Sequence, residues 1–215
     1  MKKILSITIL LAICLTLAVS CNKKTTDALE GVYTLDGVTY AFTSGGALAY
    51  SNDGASFGAY KIDDNAITIG TLNIYRDALE VSTLKQVEAN EEFFEIKTVA
   101  GIKTITALTE SGKTQTALVI PSTVGDIAGG VFEGSSVKAV VIPEGSKLNL
   151  SNGCFKNGGS LSVFISGAIA PADLTCGKSL LDGTSGVIFY IEKAALSTYE
   201  GHYNWGNFKG NMKGL

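Results

Sequence analysis

The sequence holds a single histidine, His202, and four cysteines, and that scarcity excludes most catalytic and metal chemistry at the outset. With His202 set between Gly201 and Tyr203, no Ser-His-Asp or Cys-His arrangement can be assembled around it. It reads as a surface or capping histidine. Two mature cysteines without nearby histidine or carboxylate are too few to hold zinc. Charge is sparse as well: Asp, Glu, Lys and Arg make up 17% of the chain and the net charge is −3, with no basic patch to meet nucleic acid or an anionic surface. The adjacent pairs Asp63-Asp64 and Glu91-Glu92 would point to opposite faces of a strand, so neither is a paired general acid and base. No catalytic residue, metal or cofactor is expected, and the chain reads as a non-enzyme. Proline is also rare, at 3, against 25 glycines, which suits tight turns between short strands.

What is present begins with a targeting segment. Lys2 and Lys3 precede an uncharged, mostly aliphatic run from Ile4 to Val19, short for a spanning helix. The stretch Leu17-Ala18-Val19-Ser20-Cys21 resembles the lipobox of bacterial lipoproteins. That resemblance implies a signal peptide over 1–20, cleavage before Cys21 and attachment of acyl lipid, such as palmitate, to Cys21. The protein would then be exported and held to the bacterial cell envelope, at the outer membrane or cell surface, because two or three chains at about 0.8 kcal/mol per buried CH₂ anchor almost permanently. Residues 21–28 read as a polar, lipidated tether.

Residues 29–97 carry the pattern of an antiparallel β-meander. Val32–Leu35 and Val38–Phe42 flank Asp36-Gly37, the strongest short-range hairpin signal. Tyr60–Ile62 and Ala66–Ile69 flank Asp63-Asp64-Asn65, and apolar and polar residues alternate in most of these runs. Leu72–Val81 and Glu92–Lys97 should add strands, and Leu84–Asn90 a short helical turn. The module is similar to the lipocalin-like meanders found behind lipoprotein anchors.

Residues 98–215 carry a repeat. Val-Ile-Pro occurs at Val119-Ile120-Pro121 and again at Val141-Ile142-Pro143, and Phe132 in GGVFEGSSV is matched by Phe155 in NGCFKNGGSL. The offsets, 22 residues from Ile120 to Ile142 and 23 from Phe132 to Phe155, keep step as stacked units do. Four strands follow: Ala117–Ile120, Ala139–Ile142, Ser162–Ile165 and Ile188–Ile191, with Ile102–Leu108 as a degenerate first unit. Period-2 reasoning puts Ile120, Ile142, Ile165 and Ile191 in one core column and Leu118, Val140, Val163 and Phe189 in another. Ile127, Phe132, Leu150 and Phe155 should close that core from the other side.

The units IPSTVGDIAGGVFEGSSVKAVVIP and IPEGSKLNLSNGCFKNGGSLSVFI resemble the BspA-like leucine-rich repeats, and IFYIEKAALSTYEGHYNWGNFK is similar to that family's closing segment, in which a tyrosine and a tryptophan cap the last coil. The third unit has Leu180 where the pattern has Phe. The expected fold is therefore mainly β: a lipocalin-like meander, then a short BspA-like leucine-rich-repeat solenoid of stacked parallel strands. The resemblance implies adhesion to host or neighbouring-cell surfaces.

Two features of the repeat region bear on function. Cys154 and Cys176 should stack in adjacent coils about 4.8 Å apart, within reach of a disulfide in an exported protein, or else remain two buried thiols. Val119, Val141, Phe164 and Tyr190 lie between the core columns and point away from the core. Unless the N-terminal domain or the segment 194–208 covers them, they form an exposed apolar stripe, the expected site for a protein or glycan partner. Replacing Phe164 and Tyr190 by serine should then abolish binding without changing the melting temperature. The alternative function is a carrier for a small apolar ligand held in a cup formed by the meander.

Overall fold

The computed structural model describes residues 31–35, 38–43, 46–51, 54–63, 66–69, 72–73, 84–166 and 169–214. The expected signal, Cys21 and the tether lie outside them, as do most of the expected turns of the meander and its residues 74–81.

The chain is mainly β, with antiparallel sheets first and parallel sheets after. Strands β1 (Gly31–Leu35), β2 (Val38–Thr43), β3 (Gly46–Ser51) and β4 (Gly54–Gly58) run antiparallel in succession, the first pair meeting at Leu35 opposite Val38. That is the register a two-residue connection imposes. Strands β5 (Tyr60–Asp63), β6 (Ala66–Ile69) and β7 (Leu72–Asn73) form a separate three-stranded antiparallel sheet. Strand β8 (Lys85–Val87) returns to pair with β1, Val87 opposite Val32, giving the order β4-β3-β2-β1-β8. The helical turn expected over Leu84–Asn90 is thus corrected to a strand. Pairing with β1 supplies the backbone partners, and tertiary context overrides a weak local preference.

Residues Glu91–Phe93 make a single 3-10 turn, capped by the Asn90 side chain accepting from Glu92 N. Strands β9 (Phe94–Val99) and β10 (Ile102–Leu108) form a hairpin about Ala100-Gly101. Phe94 is buried in the core of the parallel region, so β9 packs with that region, on the far side of the boundary drawn at 97/98. A short helix, Glu110–Lys113, follows, its N-cap Thr109 accepting from Gly112 N.

From here each repeat unit contributes one strand to each of two sheets. The first sheet takes β11 (Ala117–Val119), β13 (Ala139–Ile142), β15 (Ser162–Ile165) and β17 (Ile188–Ile191), all parallel; the second takes β12 (Asp126–Ile127), β14 (Leu148–Leu150) and β16 (Leu174–Cys176), again parallel. Registers in the first sheet align Leu118, Val140, Val163 and Phe189 in one row and Ile142, Ile165 and Ile191 in another. Ile120 lies one residue past β11 and still donates its N–H to Val141 O at 2.9 Å. Strand β10, the degenerate first unit Ile102–Leu108, stacks parallel to β12 in the second sheet and contributes no strand to the first. The helix Lys193–Gly201 and the 3-10 segment Trp205–Asn211 close the end, and β18 (Met212–Gly214) adds a last parallel strand beside β17.

The two parallel sheets face each other across one core. Ile127, Phe132, Leu150 and Phe155 are fully buried against Ile120, Ile142 and Ile165. A chain of aromatic contacts runs through it: Phe132 stacks on Phe155 at 5.7 Å, Phe155 meets Phe189 edge-on at 5.9 Å, and Phe189 meets Trp205 at 5.2 Å and 89°. Leu180, in the position of the absent third Phe, is buried in the same core.

Candidate ligand-binding surface

The first sheet has a second face, and it is covered. Val141, Phe164 and Tyr190 are 5%, 2% and 3% exposed, and they pack with Ala117 and Ala139 against Val32 of β1 and Ala41 of β2. Val119 and Val87 border the same cluster, half-buried. Phe164 and Tyr190 stack at 5.4 Å between ring centres. The expected exposed stripe Val119–Val141–Phe164–Tyr190 is therefore corrected to the core between the antiparallel sheet and the first parallel sheet. The physical reason is that the antiparallel sheet is apolar on both faces. Val32 and Ala41, cross-strand partners, face the parallel sheet, while Tyr40 and Phe42 on the other face pack with Ile67 and Ile69 of the small sheet.

Cys154 and Cys176 are both free and buried. The register places Cys176 beside Leu150 of β14, whereas Cys154 sits four residues later, in the turn beyond that strand, donating its N–H to Ser151 O at 3.0 Å. The expected level stacking of the two cysteines is corrected accordingly. Burial raises both thiols far above their ordinary range, Cys176 to about 12. His202 is half-buried against Tyr203, 4.5 Å between ring centres, and its Nδ1 accepts from Asn204 N at 3.4 Å. Glu91 accepts from Thr123 Oγ1 at 2.8 Å and lies 3.5 Å from Lys103 Nζ; the hydrogen bond first and the lysine second hold its carboxyl below the usual value. Among the described residues no three His, Cys, Asp or Glu side chains cluster as metal ligands do, and no helix is long and apolar enough to cross a membrane.

The second parallel sheet turns a different face to solvent. Leu148, Leu150, Leu174 and Cys176 point inward, so the residues between them point out. Register aligns Asp126, Asn149 and Thr175 across β12, β14 and β16. They are hydrogen-bonded rung to rung: Asn149 Nδ2 donates to Asp126 Oδ1 at 2.6 Å, Thr175 Oγ1 donates to Asn149 Oδ1 at 2.9 Å, and Ser151 Oγ donates to the same Asp126 oxygen at 3.0 Å. Such a ladder holds its polar groups in fixed positions.

A depression lies in the turns that follow β14 and β16. Asn152, next after Ser151, lines an open depression of about 380 Å³ with Gly153, Lys156, Ser179, Asp182 and Gly183. Its floor is backbone tied between units, Gly153 N donating to Ser179 O at 2.9 Å and Asn157 N to Gly183 O at 3.2 Å. Gly183 has φ +76°, and a Cβ there would lie 2.7 Å from Lys156 Cγ, so this glycine lets the lysine stem lie flat across the turn. Amide, hydroxyl, ammonium and carboxylate side chains thus line it, bringing both donors and acceptors. Sequence reasoning missed this site because Asn152, Ser179 and Asp182 lie in Gly/Ser-rich turns whose composition signals only a turn. The one available signal was Asn149 and Asn152 recurring near the place where the next unit has Thr175 and Ser179.

No family model matches the chain, and no curated protein sequence matches it.

Proposed function

We propose that the protein is a lipid-anchored envelope protein of the BspA-like leucine-rich-repeat kind, non-enzymatic, whose solenoid binds a hydroxyl-rich ligand, a glycan, on its polar face. One observation carries the reading: the exposed strands carry the in-register polar ladder Asp126–Asn149–Thr175, and the turns that follow β14 and β16 form the depression lined by Asn152, Lys156, Ser179 and Asp182. Prearranged donors and acceptors on rigid strands suit sugar hydroxyls, and a cleft of about 380 Å³ admits a ring. The solenoid reading is supported by strands that recur once per unit and pair in parallel, without slippage, through β11, β13, β15 and β17. The lipocalin-like meander is read as an N-terminal cover for that stack, since Val32 and Ala41 shield its outer apolar row. The anchor rests on the lipobox-like stretch ending at Cys21.

The test is a glycan-array screen of the full chain followed by titration calorimetry on the best glycan. Asp182→Ala and Asn152→Ala are each expected to weaken binding roughly tenfold, the worth of about one good hydrogen bond, with no change in the melting curve. Unaltered affinity in both variants, or no glycan bound at all, would refute the reading. Cys21→Ser is expected to move the protein from the membrane fraction to the soluble fraction, and unchanged fractionation counts against the anchor.

A further inference from the structure

The two parallel-strand sheets have four edges, and they are treated differently. Beside β16 the terminal segment is fastened down, Trp205 Nε1 donating to Leu174 O at 2.6 Å and Tyr199 OH to Ile169 O at 2.9 Å. The first sheet ends at β18, which lies against the helix Lys193–Gly201, and at the other end β11 lies against β8. Among the described residues the remaining edge without a neighbouring strand is β9, Phe94–Val99, the last strand in the order β16-β14-β12-β10-β9. Its residues from Glu95 onward are exposed, apart from the half-buried Ile96, and Val99 at its end is 53% exposed.

The direction of its free backbone groups follows from the hairpin. Ala100 and Gly101 have φ of +50° and +84°, the conformation of a tight two-residue turn, so Val99 and Ile102 flank it as a hydrogen-bonded pair. Alternation then gives Lys97 to β10 as well, opposite Thr104, and leaves the N–H and C=O groups of Ile96 and Thr98 directed away from the sheet. An unpaired row of this kind is a template for another strand.

The side chains select the partner. Glu95 and Lys97 share the outer face, and Ile96 on the inner face packs at the rim of the main core. Neither Glu95 nor Lys97 forms an ion pair among the described residues. A second β9 laid antiparallel with Ile96 opposite Ile96 would set Glu95 against the other copy's Lys97, twice, and Ile96 against Ile96 across the rim of the two cores. The same register makes Ile96 the central hydrogen-bonded pair and sets the outward N–H of Thr98 opposite the other copy's Phe94, whose own N–H is held by Glu91 O. A slip of two residues in one direction opposes lysine to lysine at 97. A slip in the other opposes glutamate to glutamate at 95. A slip of one turns the partner sheet over and sets Ile96 against Lys97. Opposite charges meet in one register of a self-pairing, and like charges directly opposed are destabilising.

We propose that the protein self-associates through β9, two copies pairing antiparallel about Ile96 so that their five-stranded sheets become one continuous sheet. The test is sedimentation velocity of the full chain in a density-matched non-ionic detergent across a range of concentrations. The wild-type chain should show a concentration-dependent dimer. Lys97→Glu should raise the dimer dissociation constant roughly tenfold, and Glu95→Lys combined with Lys97→Glu should restore it, because the same pairs re-form with signs exchanged. Thr98→Pro removes an outward N–H without touching the β9–β10 ladder and should also weaken the dimer. Circular-dichroism melts of each variant establish that it is folded. A chain that stays monomeric throughout overturns the proposal. So does a dimer indifferent to Lys97→Glu or not rescued by the double reversal, and so does capture on β9 of a strand from another protein while the chain itself stays monomeric.

Discussion

Phe132 and Phe155 are fully buried and stack on each other, so truncating either leaves a cavity the neighbouring units cannot refill. Phe132→Ala or Phe155→Ala should each cost about 3–5 kcal/mol, read as a shift in the midpoint of urea unfolding. The two thiols make a different prediction. With Cys154 and Cys176 buried and protonated, the native protein should resist a thiol reagent at pH 8 and react fully once denatured. The sign of the pH dependence follows. Unfolded thiols ionise near their usual value, whereas the native Cys176 thiol holds its proton to about 12. Unfolding therefore releases protons. The contribution is intact below pH 9 and is lost as pH rises towards 12, so the melting temperature should fall across that range and recover in Cys154→Ala/Cys176→Ala. At this scale the core columns were legible, because Leu118, Val140, Val163 and Phe189 are apolar at every level. The relation between the cysteines was not. A cysteine's place along a turn depends on how many residues that turn takes, and Cys154 falls beyond its strand while Cys176 falls within its own.

The closing segment is the element on which the parallel stack depends at its last unit. Trp205 is fully buried, meets Phe189 and Tyr199 edge-on, and bonds Leu174 O. Trp205→Ala should cost about 3–5 kcal/mol, and hydrogen exchange should show β16 and β17 losing protection before β13 does. Uniform loss of protection would mean that the segment stabilises the whole stack at once. The strands of the first sheet were readable at three or four residues because the Val-Ile-Pro landmark fixed their phase. Strands β12, β14 and β16 were not, since two or three residues contain too few alternations for a period to register. Their inward residues were still identified as core by their recurrence, as with Ile127 and Leu150. Strand β8 escaped for a further reason: three residues of Lys-Gln-Val carry no strand preference strong enough to outweigh a helical one, and only β1 beside them decides the matter.

For the whole molecule, the outer row of the first parallel sheet is an internal surface joining the two halves of the chain. Phe164→Ser with Tyr190→Ser should lower the melting temperature sharply, because it removes a stacked aromatic pair and leaves hydroxyls in an apolar layer. Each change alone should cost about 3–5 kcal/mol, with the pair less than additive because the rings touch each other. A double variant that melts like wild type would place the row at the surface after all. Val32→Ser, on the opposing sheet, should loosen the same contact while leaving the Phe132–Phe155 stack intact, which near-ultraviolet circular dichroism can separate.

By itself the sequence determined the local periodicities: a two-residue hairpin in the meander, a repeat of about two dozen residues, and which side of each strand is apolar. These depend on the spacing of residues along the chain, and spacing is written in the chain. Only the tertiary structure decided what each apolar side faces. An apolar row such as Val119–Val141–Phe164–Tyr190 has the same composition whether it meets a ligand, a partner or the protein's own sheet. The choice rests on a second apolar surface, Val32 and Ala41, nearly eighty residues away from Val119 at its nearest. Its free energy of burial is non-directional and leaves no mark on the local pattern.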